Sequence, residues 1–312
     1  MTRSSRPAVD PRIVPAFGVT RDGQPLSYNR APAPDLSGWI ARLSVAKLQM
    51  LPGHTLSCGL FADTAGIRIQ LAGAFEVGTR DGVQDHTRGA LFCGPQSRLM
   101  PVRVRGDFTS IGISLRPSAC NALMGPVLPE YVDRVVPTRR WSPEYLLSLL
   151  DPAGSPEDWL SALEDVVRQE IAQHKGTGPD PITARFEEIA FADPVMSIAQ
   201  AAREIDVDRR RLERLVVRDF GMPPKQVLKR ARALDMASHL RGVADGDEGE
   251  ALALRYYDES HLIREFVELF GMSPRQFTAQ PLPLLTLTLE ARQARRLEMM
   301  KRLIPGDRRP WE

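Results

Sequence analysis

Residues 255–277 read RYYDESHLIREFVELFGMSPRQF, and the punctuation of this stretch decides the fold of the C-terminal half. Asp258 has the chemistry of a helix N-cap, because its carboxylate can accept the free amide hydrogens of a first turn. Leu262, Phe266, Leu269 and Phe270 recur at helical spacing and share one face. Gly271 supplies the left-handed residue that ends a helix, Met272 an apolar contact beyond it, and Pro274 a stop. The opposite face carries Ser260, Arg264 and Glu268, with His261 beside them. The stretch therefore predicts a short helix held from behind, with a polar outer face.

The same pattern stands fifty residues earlier. Asp208 matches Asp258, Leu212 matches Leu262, and Arg214 matches Arg264. Phe220, Gly221 and Met222 match Phe270, Gly271 and Met272, and Pro224 and Gln226 match Pro274 and Gln276. Two copies are too few for a solenoid, which needs at least about three repeats. They predict one domain built from two related halves. The caps of the two helices are Asp208 and Gly221 in the first copy, and Asp258 and Gly271 in the second.

Working upstream, Ser197 to Ile205 (SIAQAAREI) reads as a short helix with a Ser cap, and Asp206-Val207 as a turn into the helix capped by Asp208. Two short helices about a tight turn make a helix-turn-helix. On its second helix Leu212, Leu215, Val216 and Phe220 face inward, while Arg210 and Arg214 face outward, flanked by Arg211 and Arg218. A helix from about Lys225 to Leu240 joins the halves. A second unit should begin near Glu248. A further helix is expected over about 182–191, and HKGTGPDP (174–181) reads as a linker because Gly and Pro break a continuing helix.

The first half of the chain has a different texture. LSVAKLQML, TLSCGLF, GIRIQL, AFEVGTR, MPVRVR and FTSIGISL are short β-like runs between about Leu43 and Leu115, separated by Gly, Pro and Asp. Gly73 and Gly106-Asp107 read as breaks between strands. Runs at this spacing predict a barrel or sandwich. Residues 1 to about 36 read as a mostly irregular arm, and after Pro117 short helices follow, two of them opened by Ser142 and Ser155. Beyond Gln280, PLPLLTLTL is apolar, and Glu290 to Ile304 reads as an amphipathic basic helix, more suited to packing or dimer formation than to DNA. The expected plan is α+β and multidomain. An arm (1–36) precedes a β-rich domain with trailing helices (37–174) and a linker (175–181). An all-α tandem helix-turn-helix domain (182–280) and a basic extension (281–312) follow. The GTGP linker and the repeat suggest that the part from about 176 onward folds by itself.

Composition sets outer bounds. The net charge of +2 hides an uneven distribution, since 197–242 holds eleven Arg or Lys against six Asp or Glu. No apolar run approaches the roughly 20 residues of a membrane span, and the first eighteen residues lack a signal-peptide core. Three cysteines cannot all pair within one chain and fit a reducing cytoplasm. His54, His86, Cys58 and Cys93 are the metal-ligand types in the β-rich part, but no His-x-His or CxxC pair joins them. There is no P-loop, GxSxG elbow or HExxH. Neither a metal, a cofactor nor an enzymatic activity is expected.

At this point the chain resembles the AraC/XylS family of bacterial transcription regulators. YYDESHLIREFVELFGMSPRQF is similar to that family's second helix-turn-helix signature, and MSIAQAAREIDVDRRRLERLVVRDFGM to its first; together the resemblance covers about 182–277. Arg255 stands where the family usually has Gly, and Asp247 and Glu250 where it has an apolar pair. The resemblance implies a sequence-specific DNA-binding regulator, with an N-terminal domain that binds a small effector or dimerises. A double-stranded operator is then the partner, RNA polymerase a second one if the protein activates, and a homodimer is compatible. Two recognition helices would enter consecutive major grooves about 34 Å apart. Arg210, Arg214, Ser260, His261 and Arg264 are the expected base contacts, and Arg211, Arg218, Lys225, Lys229 and Arg232 the expected phosphate contacts. Arg211 and Arg218 have Glu213 and Asp219 as competing partners. An adaptor that binds another protein, with weak DNA binding, and a β-barrel enzyme fused to a DNA-binding domain are the alternatives. The N-terminal domain is expected to be metal-free, with a concave interior for an apolar or mixed-polarity effector.

Overall fold

The β-like runs of the first half pair into one antiparallel sheet. The computed structural model describes residues 6–123, 127–139, 141–173, 178–245 and 259–312, with side chains from residue 262 in the last segment. The strands are β1 (Ile13–Pro15), β2 (Tyr28–Arg30), β3 (Ile40–Met50), β4 (Thr55–Leu60) and β5 (Gly66–Thr79). They continue with β6 (Gly82–His86), β7 (Gly89–Cys93), β8 (Met100–Leu115) and β9 (Val135–Pro137). The sheet runs β1-β3-β8-β5-β7-β9, with β2 on β3, β4 on β8 and β6 on β5. One edge of β8 is shared, its Met100–Arg105 half pairing with β4 and its Phe108–Leu115 half with β3.

Two glycine signals read as breaks turn out to be bulges inside longer strands. GIRIQL and AFEVGT fuse into β5 across Gly73, where the register against β8 shifts and φ is +87°. MPVRVR and FTSIGISL fuse into β8 across Gly106, at φ +75°. A positive φ costs Gly little, so one residue can kink a strand without ending it. GVQDH and GALFC form β6 and β7, which the sequence reading passed over. The expected irregular arm also contributes β1 and β2, both docked on β3.

Strand alternation gives the sheet two unlike faces. Leu43, Val45, Ile67, Ile69, Ile111 and Ile113 point one way and pack under Leu146, Trp159, Leu160, Leu163 and Val167. These last residues belong to α3 (Pro143–Ser148) and α4 (Pro156–Gln173), which follow α1 (Pro117–Ala122) and α2 (Leu128–Tyr131). Arg42, Ser44, Arg68, Gln70, Ser110 and Ser114 point the other way. A solvated sheet would show such a polar face to water; here a helix covers it.

That helix comes from the far end of the chain. The C-terminal half consists of α5 (Pro181–Ala192), α6 (Ile198–Ile205), α7 (Arg209–Phe220), α8 (Pro224–Leu240), α9 (Glu259–Phe270), α10 (Pro274–Ala279) and α11 (Pro283–Met299). The apolar PLLTLTL run and the basic stretch after it are one continuous helix, α11. Leu284 and Leu287 of α11 pack on the sheet with Leu56, Phe75, Val77 and Val102. Leu285, Leu289, Ala294 and Leu297 face the other way, onto α8 and α9. Ile304, the expected end of that amphipathic helix, lies beyond it and is 69% exposed.

The two halves also share a core directly. Phe61 meets Phe270 edge-on, with ring centroids 5.2 Å apart. Leu26 belongs to the same cluster as Phe266, Phe277 and Trp311. The Leu99 amide donates to the Leu269 carbonyl at 2.8 Å. Arg241 of the C-cap of α8 donates to the Ala8 carbonyl at 3.1 Å. Part of the expected linker (residues 175–177), the first helix of the second unit near Glu248, and Asp258 with Arg255 lie outside the described residues.

Candidate nucleic-acid interface

Local chemistry builds the first unit as its sequence suggests. Ser197 caps α6 in a capping box with Gln200, each satisfying a backbone amide of the other. Asp206 takes the left-handed conformation that turns the chain, at φ 59°. Asp208 then caps α7, its carboxylate accepting from the Arg211 amide at 2.8 Å. Leu212, Leu215, Val216 and Phe220 are buried, and Phe220 sits edge-on to Phe186 of α5. Gly221 closes α7 in the left-handed region. The helix is thus fixed at both ends and behind, and it presents Arg209, Arg210, Arg211 and Arg214 to solvent.

The second unit is described from α9 onward. Leu262, Phe266, Leu269 and Phe270 are buried, and Phe266 stacks on Phe270 with centroids 4.3 Å apart. Gly271 adopts φ +69°, and Ser273 opens α10 with a second capping box to Gln276. Arg264 is exposed on the outer face of α9. The side chains of Ser260 and His261 lie outside the described residues.

Three of the expected phosphate contacts are engaged within the protein. Arg218 donates to buried Asp219 at 2.6 Å and to Asp180, the cap of α5, at 2.9 Å. These bonds raise its proton affinity, the bond to Asp219 most. Arg232 of α8 forms a fork on Glu265 of α9, with its shortest contact at 2.7 Å, and donates to the Pro194 carbonyl. Lys229 pairs with Glu268 of α9. The last two pairs tie the joining helix to the second recognition helix. Arg211 and Lys225 are exposed. Arg209, which the sequence reading left out, pairs with Glu213 at 2.8 Å.

Arg275 is an exposed cation that sequence reasoning missed. It stands at the first turn of α10, as Lys225 stands at the first turn of α8. The two positions are fifty apart, so the repeat that paired Arg214 with Arg264 also pairs these cations.

A second feature lies behind the interface. The polar face of the sheet and α11 together line a cavity of about 100 Å³. One end of the wall is polar, with Arg42, Ser44, Arg68, Gln70, Ser110 and Ser114. Phe75, Val77, Phe108, Leu284 and Leu287 line apolar wall, and Asp63, Arg292 and Arg295 also reach the cavity. The metal-ligand types of this half are occupied otherwise: His54 contacts Asp10 at 2.9 Å, and His86 lies against the Phe75 ring. Burial pushes the Cys93 thiol up to about 11. No cluster of three metal-binding side chains occurs among the described residues.

Residues 201–280 match the family described as a helix-turn-helix domain. No curated protein matches the chain. Among solved structures the chain is similar to apo ToxT from Vibrio cholerae, at 11% identity and TM-score 0.44, covering 76% of this chain and 96% of that one. It is similar to unsaturated fatty acid-bound ToxT from the same organism at 10% identity and TM-score 0.44, covering 76% and 94%. The AraC-like transcriptional activator CuxR follows at 13% identity and TM-score 0.29, covering 67% and 86%. With its capped repeat helices and the matched segment, the chain carries an AraC-type helix-turn-helix domain, at residues 201–280.

Proposed function

We propose that the protein is a sequence-specific transcriptional regulator whose two recognition helices, α7 and α9, read consecutive major grooves of one operator. The observation that carries the reading is the outward arginine at the same place in both copies. Arg214 and Arg264 are exposed on helices whose other faces are buried. A helix so held fits a major groove, and Arg can bind guanine with two hydrogen bonds. Arg210 extends the base-reading face of α7, and Ser260 and His261 that of α9. Arg211, Lys225 and Arg275 are the phosphate contacts, giving affinity without sequence information. Arg218, Lys229 and Arg232 act mainly by holding the helices in place, since each already has a carboxylate partner. A small effector occupies the cavity under α11 and biases the DNA-bound form. RNA polymerase and a second copy of the chain remain partners of the proposal only.

The test is binding to a panel of operator variants at two salt concentrations. Arg264→Ala leaves the buried face intact, so the fold should survive. It should lose roughly 1–3 kcal/mol on the operator and far less on random DNA. Arg214→Ala should do the same at base pairs about one helical turn away. If the two variants relax preference at the same base pairs, or at none, the tandem reading is wrong.

A further inference from the structure

We infer that the cavity takes an anionic, otherwise apolar ligand whose acidic head pairs with Arg68. The inference rests on the effector reading above and names the chemical class it leaves open. Four arginines line the cavity, and three of them are matched. Arg42 meets Glu298 at 2.6 Å, Arg292 meets Asp63 and Asp235 at 2.9 and 2.7 Å, and Arg295 meets Glu187 at 2.7 Å. Arg68 has no carboxylate within ion-pair distance among the described residues; its guanidinium only grazes the Ser44 hydroxyl, at 3.4 Å. Its charge lies on the cavity wall, where burial holds its proton affinity below the ordinary range.

Gly112 of the neighbouring strand leaves room for this cation. Arg68 pairs across the strands with Gly112 of β8. A Cβ at Gly112 would lie 2.1 Å from the Arg68 guanidinium nitrogen and 2.9 Å from the Ser44 hydroxyl. A side chain there would displace the guanidinium from this position. A charge kept in an apolar interior is costly unless a counter-charge reaches it. The residues that could supply one, Asp63 and Glu298, are already bonded to other arginines.

The rest of the wall says what else the ligand must be. Ser44, Ser110 and Ser114 lie near Arg68, and Phe75, Val77, Val102 and Phe108 line the wall farther along β5 and β8. A carboxylate or similar anion on a hydrocarbon or aromatic body satisfies both ends at once. A polyhydroxylated sugar would leave its hydroxyls against phenyl and aliphatic side chains. A divalent cation would meet four arginines and one carboxylate.

Calorimetry on the full chain tests this, with hexanoate, decanoate and hexadecanoate as probes and the alcohol of each chain length as control. At least one carboxylate should bind one-to-one and about ten- to a hundredfold more tightly than its alcohol, the range expected for a charge-assisted contact. Arg68→Met should abolish that preference while leaving the alcohol's affinity unchanged, and Arg68→Lys should retain part of it. Equal binding of acid and alcohol, saturation of none of the three acids, or a preference that survives in Arg68→Met, would each overturn the inference. Operator binding with and without the bound acid is read separately. An acid that binds through Arg68 yet leaves operator affinity unchanged upholds the site and removes the effector reading.

Discussion

Arg292 joins the cavity wall to the helical half, and its removal has a cost that follows from burial. Its side chain is 4% exposed, and so is that of its partner Asp235 on α8, while Asp63 is 21% exposed. Arg292→Ala would leave the Asp235 carboxylate buried, with Arg296 no nearer than 4.0 Å. Breaking a buried pair from one side costs about 3–5 kcal/mol, because the remaining charge stays uncompensated. The Asp63 contact adds little, since that carboxylate reaches water. The guanidinium also lies 5.0 Å over the Phe191 ring, a contact of about 1 kcal/mol that falls within the same range. With an unfolding slope near 3 kcal/mol/M, the urea midpoint should drop by roughly 1–2 M. Pairing Arg292→Met with Asp235→Leu removes both charges and fills much of the space, so most of the lost stability should return. A single variant that loses less than about 1 kcal/mol, or a double variant no more stable than the single one, would refute this account.

Arg232→Ala should weaken specific and random DNA alike with no change in salt slope, because it frees Glu265 rather than a phosphate; a slope flatter by about one would contradict this. Arg275→Ala is expected to flatten that slope by about one, which salt titration on random DNA reads directly. Asp10 is held below the usual carboxylate range by hydrogen bonds from Arg12, assisted by His54, so its contribution to stability is present above about pH 4 and lost as pH falls through its lowered pKa. Asp10→Asn should therefore be less stable than the parent at neutral pH, with the gap closing in urea titrations toward pH 3. Ending the chain at Gln280 removes α11 and bares both cores it covers; a cooperative thermal transition and monomeric elution of that truncated protein would count against the packing described.

The helix-turn-helix chemistry was legible because its signals are local. Ser197, Asp206, Asp208 and Gly221 act within one turn of their own position, and each cap appears where the sequence puts it. The strands were legible as apolar runs, but their joins were not. Gly73 looks the same in sequence whether it ends a strand or bulges one, and only the pairing of both flanks with β8 decides. The arginines of α11 were the least legible. Exposed and buried arginines spell alike, and Arg292 finds Asp63 at 229 residues' separation. Arg68 escaped for the same reason, since an alternating strand normally turns its polar face to water rather than to a closed interior.

Several ion pairs engage α11 and its surroundings, and their energetic sense differs from that of the apolar contacts beside them. Leu285, Leu287, Leu289 and Leu297 supply the burial that holds the helix down, at about 25 cal/mol for each Å² removed from water. An apolar helix between a sheet and a bundle could slide by a turn at little cost in buried area. The charged partners forbid that, because they sit on separate elements: Asp63 before β5, Glu187 on α5 and Asp235 on α8 for Arg292 and Arg295, Arg42 on β3 for Glu298, and Asp245 after α8 for Arg302. Arg309 closes back onto Glu290. A shift of one turn would leave several buried charges unmatched at once. Buried pairs add little net stability over apolar packing, but they can fix a register. Here the register determines which side chains of α11 wall the cavity and which enter the core of α8 and α9. A helix whose second half carries three arginines therefore serves to seat two halves of one chain, with those arginines committed inward rather than to the DNA phosphates.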